Sequence, residues 1–84
     1  MHPYAHYLQP ELARILGNYR TAHLYTQERM AENLRISPRN YSNLELGKSG
    51  LSGPTLLFFF LTMTDAEQLA TLQQLRFVIN QIDG

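Results

Sequence analysis

The residues of this chain best equipped to do chemistry are Arg39, Asn40 and Asn43, and the chemistry they suit is hydrogen bonding. From Pro38 onward the apolar spacing is helical. Tyr41, Leu44 and Glu45 face one way, while Arg39, Asn40 and Asn43 face the other. A helix that needs only solubility usually carries Glu and Lys on its outer face. This one carries a planar guanidinium and two carboxamides that both donate and accept. Bond-making chemistry has no comparable support. No Ser/His/Asp set, paired carboxylates or Gly-rich phosphate loop is present, and Gly47-Lys48-Ser49-Gly50 lacks the P-loop spacing. His2 and His6 are spaced i,i+4, but no third ligand stands near them. The chain has no cysteine, which excludes disulfides and thiolate metal sites. No enzyme activity, cofactor or metal is expected.

The elements that must position these residues are helices. Leu8, Leu12, Ile15, Leu16 and Tyr19 predict a helix over residues 8–23, with His23 near its end, where the helix dipole favours it. Thr26 to Leu34 repeats the pattern through Gln27, Met30, Ala31 and Leu34. Ser37-Pro38 is a helix start, an N-cap followed by a proline whose missing N–H is no loss there, and Gly47 is a stop. A loop over Gly47 to Gly53 leads to a second start at Ser52 to Pro54. The apolar run Leu56 to Leu61 is a buried helix, although periodicity alone does not separate it from a strand. Its three successive phenylalanines cannot share one core, because neighbouring helix residues diverge by about 100°. Thr64-Asp65-Ala66-Glu67 is a capping box that opens a last helix to about Ile82. Five helices and no credible strand make the fold all-α.

Eighty-four residues suffice for one domain, taken here as residues 1–84. Seven basic against seven acidic residues exclude a sprawling polybasic surface but not a local basic patch. The N-terminal stretch lacks the features of a signal peptide, and the longest apolar run is far short of the roughly 20 residues of a membrane span. A soluble, cytoplasmic protein is expected.

Two helices joined by a short turn, the second presenting polar side chains, describe a helix-turn-helix over about residues 26–46. Residues 20–56 resemble the Cro/repressor-type (XRE) family through Arg20, Thr26-Gln27, Ala31, Leu34, Ile36-Ser37, Leu44-Glu45, Gly47, Ser52 and Thr55-Leu56. The resemblance implies a five-helix, lambda-repressor-like DNA-binding domain. It places Ala31 where the two motif helices cross, and implies a structural ion pair between Arg20 and Glu45. The helix beginning at Pro38 would enter the major groove, with Arg39, Asn40 and Asn43 contacting bases. Arg matches guanine O6 and N7, and Asn matches adenine N6 and N7. Thr26, Gln27, Ser37, Lys48 and Ser49 would contact phosphates. Two residues depart from the family pattern. Arg35 stands where Gly is usual, so a left-handed turn would be strained unless Asn33 absorbs the geometry. Tyr41 stands where an aliphatic residue is usual, so its hydroxyl needs a partner.

The last helix carries a broad apolar stripe, Leu69, Leu72, Leu75, Ile79 and Ile82, and a narrower one, Ala66, Ala70 and Phe77. One stripe can cover the core and the other needs cover, so a homodimer through Leu72, Leu75, Phe77, Ile79 and Ile82 is expected. A two-fold axis would set two recognition helices about 34–36 Å apart on double-stranded DNA. The expected function is a transcriptional regulator, a repressor on an inverted-repeat operator. An antitoxin that also binds a toxin protein, or a helix-turn-helix used only for protein contact, are the alternatives.

Overall fold

Side-chain caps determine where the helices begin. In the computed structural model, which describes residues 4–84, the elements are α1 (Tyr4–Ala22), α2 (Gln27–Leu34), α3 (Pro38–Glu45), α4 (Gly53–Thr62) and α5 (Asp65–Asp83). Thr26, Ser37, Ser52 and Thr64 precede α2 to α5 in extended conformation. Each accepts from a backbone N–H three residues on, at Arg29, Asn40, Thr55 and Glu67. Such a cap contributes about 1 kcal/mol. At Thr64 the box closes both ways, as its sequence predicts. α1 begins earlier than the periodicity suggests and runs through Pro10. Tyr4 and Tyr7 are exposed, so the first turn has no apolar stripe to reveal it. His2 lies outside the described residues, and with it the His2–His6 pairing.

Helices α1, α2 and α3 end alike. Tyr25 N–H reaches Arg20 O while Leu24 N–H reaches Thr21 O; Ile36 and Arg35 do the same to Ala31 and Glu32, and Lys48 and Gly47 to Asn43 and Leu44. Each closure needs one left-handed residue, and these are Leu24 (φ 58°), Arg35 (φ 60°) and Gly47 (φ 72°). Arg35 therefore takes the strained position itself, and Asn33 does not absorb it. Its guanidinium lies 4.1 Å from the Phe58 ring centroid, which offsets part of the strain. Leu24 has no such compensation and is 90% exposed. Leu24→Gly should accordingly stabilise the protein by about 0.5–1 kcal/mol, the strain released less the added unfolded-chain entropy. Arg35→Gly should gain less, because it forfeits the contact with Phe58. Thermal melts of the two variants side by side test that order.

The core is built around Leu16, Met30, Leu34, Tyr41 and Phe59, all fully buried, with Ala31 at the α2–α3 approach. α4 resolves the phenylalanine run by rotation. Phe59 points inward, Phe58 and Phe60 lie half-buried on its two flanks, and Leu57 and Leu61 point outward. α5 departs from expectation. Its inner face is Gln68, Thr71, Leu75, Val78, Ile79 and Ile82, all half-buried, and no residue of the helix is fully buried. The broad stripe is wider than the surface α5 covers, so Leu69 and Leu72 stay outside with Phe77. Of the five residues expected at a dimer interface, Leu75, Ile79 and Ile82 thus turn toward their own chain. Leu72 and Phe77 remain exposed.

Candidate nucleic-acid interface

The inner face of α3 is fastened through one carboxylate. Arg20, in α1, donates from Nε to Glu45 Oε1 at 2.6 Å and from Nη2 to Oε2 at 3.3 Å. Gln27, the first residue of α2, donates from Nε2 to Oε2 at 2.8 Å. The Tyr41 hydroxyl donates to Oε1 at 2.9 Å, which supplies the partner that this unusual residue requires. Arg20 also donates from Nη1 to Tyr25 O at 3.1 Å, so the same guanidinium braces the chain entering α2. Burial acts to raise the Glu45 pKa. The hydrogen bonds from Arg20, Gln27 and Tyr41, with the charge of Arg20, outweigh it and hold the carboxyl below its ordinary value. Burial, then the bond to Glu45, push the Tyr41 phenol well above its usual range.

With its inner face fastened, α3 presents the other. Arg39 is exposed and Asn43 half-exposed on the side opposite Tyr41 and Leu44, one turn apart. Asn40 lies toward a flank, beside a cleft of about 250 Å³ shared with Ser49, Gly50, Ser52 and Thr55. Among the described residues, the side chains of Arg39 and Lys48 have no hydrogen-bond or ion-pair partner. Other cations are engaged within the chain: Arg14 with Glu11, Arg20 with Glu45, and Arg29 and Arg35 over Tyr25 and Phe58. The guanidinium of Arg39 is therefore available to a ligand without breaking any contact.

The expected phosphate contacts flank this face. Thr26 and Ser37 use their hydroxyl oxygens as acceptors in the caps, at 3.0 and 3.1 Å, which leaves both O–H groups to donate outward. Lys48 and Ser49 are exposed on the loop after α3, and Gln9 steadies its start by donating to Gly47 O at 3.0 Å. Gln27 has one amide N–H committed to Glu45 and borders a cleft of about 320 Å³ with Arg14, Asn18 and Ser42. Sequence reading overlooked Arg14, Asn18 and Leu46. The first two are an i,i+4 pair on α1, which the helical pattern could have supplied. Leu46, 64% exposed just beyond α3, reads in sequence as core.

His23 has a partner other than the expected helix end. Its Nε2 lies 2.6 Å from Glu67 Oε2, and its ring stacks on Tyr25 at 5.3 Å between centroids. The capping box accounts for this, because Thr64 N–H binds Glu67 Oε1 and leaves Oε2 aimed at the end of α1. That bond from the Thr64 backbone is also the main cause that lowers the Glu67 pKa.

The order of these parts is a capped helix, a left-handed turn, a second capped helix with an unpartnered cationic face, and a brace to α1. The family model described as Helix-turn-helix matches residues 16–58, just over half of the chain, and spans all of them. No curated protein and no solved structure matches the chain. No helix among the described residues is long and apolar enough to cross a membrane. The brace, turn and exposed face together with the matched segment place the chain in the Cro/repressor-type (XRE) helix-turn-helix family, as a lambda-repressor-like, all-α, DNA-binding regulator.

Proposed function

We propose that the protein is a cytoplasmic repressor that binds an inverted-repeat operator as a homodimer, with the whole chain acting as one domain. The observation that carries the reading is α3 itself, fastened inward through Glu45 and outwardly offering an unpartnered Arg39 with Asn43 one turn on. Arg39 reads a guanine, and Asn43 and Asn40 read neighbouring bases. Thr26, Gln27, Ser37, Lys48 and Ser49 fix register on the backbone. Few cations remain for phosphates, so affinity should fall only moderately with salt. Selection of bound sequences from random duplex DNA tests the reading. A palindromic consensus supports it, and no enrichment would instead favour a helix-turn-helix used for protein contact.

The second copy is proposed to cover Leu69, Leu72 and Phe77 on α5. Sedimentation equilibrium should show a dimer at tens of micromolar, by the ordinary affinity of small symmetric dimers. Leu72→Glu with Phe77→Glu should give a folded monomer. A monomeric wild type would remove the dimer and the palindrome together. Leu57 and Leu61, outward on α4, favour a further protein contact such as the toxin of an antitoxin pair.

A further inference from the structure

A glutamate carboxylate has about four hydrogen-bond acceptor positions, and those of Glu45 are filled. Arg20 takes one on each oxygen, Gln27 Nε2 takes another on Oε2, and the Tyr41 hydroxyl takes another on Oε1. Rotating the carboxylate would break at least one of these bonds. Because a carboxylate only accepts, the Gln27 amide must meet it through nitrogen. That leaves the second N–H of Gln27 directed elsewhere, at the start of α2 and beside the cleft with Asn18 and Ser42.

Of the donors around Glu45, the Tyr41 hydroxyl is the one that neither packing nor charge requires. Tyr41 is fully buried, and a phenylalanine would occupy nearly the same space. Arg20 alone neutralises the carboxylate. What the hydroxyl does is occupy the position on Oε1 to which the Gln27 nitrogen could otherwise move. We infer that Tyr41 is a positioning residue for a phosphate contact at the start of α2: through Glu45 it holds the Gln27 amide in one orientation, its second N–H presented to the DNA backbone. The inference rests on the DNA-binding reading of Gln27 given above. Arg39, Asn40 and Asn43 are not involved, so Tyr41 acts on affinity and leaves base preference alone.

The test compares wild type, Tyr41→Phe, Gln27→Ala and the double variant. The probe is a fluorescein-labelled duplex of the sequence most enriched by wild-type protein. Tyr41→Phe should weaken binding roughly three- to tenfold. Base preference and salt dependence should stay unchanged, because a neutral amide displaces no counterion. In the Gln27→Ala background, Tyr41→Phe should have no further effect. Additive losses would overturn the positioning role and leave DNA binding intact. A silent Gln27→Ala would remove the phosphate contact and the inference with it. Altered base preference in Tyr41→Phe would assign the hydroxyl to α3 itself and overturn the inference equally. One measurement needs no variant. On adding the duplex to labelled wild type, one Gln27 side-chain N–H resonance should shift and the other should stay. Joint movement of both would overturn the orientation proposed.

Discussion

Glu45→Ala should lose about 3 kcal/mol of unfolding free energy, the largest effect of any polar substitution in this chain. The estimate is the low end of the cost of breaking a buried ion pair from one side, because the two side chains retain 25% and 12% exposure. More than the pair is lost, however. Arg20, Gln27 and Tyr41 would each keep a donor aimed at an empty position, and that of Tyr41 cannot reach water. A loss under about 1 kcal/mol in a urea titration would show that the carboxylate is replaceable by solvent, as surface pairs are. The same group fixes a pH dependence. Its folded pKa lies below the ordinary value of 4.5, so its contribution is complete above that value. It is lost as pH falls through the lower, folded value. Wild-type stability should therefore decline in acid, and Glu45→Gln should flatten the decline. Part will persist in that variant, because the Glu67 carboxyl is lowered as well.

Arg39→Ala should leave the fold unchanged and reduce affinity for the selected duplex by about ten- to a hundredfold, the worth of one bidentate base pair contact. The two halves of this statement have separate structural grounds. Arg39 is exposed and has no side-chain partner among the described residues, so its removal disturbs no packing. Its place on the outer face of α3, opposite Tyr41, puts its loss at the centre of the reading surface. Sequence selection with the variant should lose a guanine at one position of each half-site while keeping the remainder. Lys48→Ala makes the contrast. It should weaken binding evenly across sequences and lower the salt slope by about 0.9.

Much of this was legible in the sequence because capping and periodicity are local. Ser37-Pro38, Ser52 to Pro54 and Thr64 to Glu67 name their helix starts within four residues, and the structure uses each. The Arg20–Glu45 geometry was accessible only through resemblance, since no spacing rule joins residues 25 apart. The rotation of α5 was not legible. Leu69 and Leu72 have the same apolar character as Leu75 and Ile79, and only the position of α1 decides which are covered. Nor could the sequence show that Thr71 and Gln68 share the inner face with them. Gln27 was doubly readable, as an inward residue of α2 and as a phosphate donor. Its commitment of one N–H to Glu45 depends on where α3 brings that carboxylate.

A helix with no fully buried residue has little holding it down. α5 touches the rest of the chain through half-buried side chains, a capping box and the His23–Glu67 contact. Its amide hydrogens should exchange with solvent well before those of α2 and α3, which share the Glu45 bonds. A second copy laid over Leu69, Leu72 and Phe77 would bind the ordered helix and not the frayed one. The order of α5 then rises with protein concentration by mass action. In a cell, that ties the completeness of the fold to copy number, and a growing population of chains would sharpen its own structure.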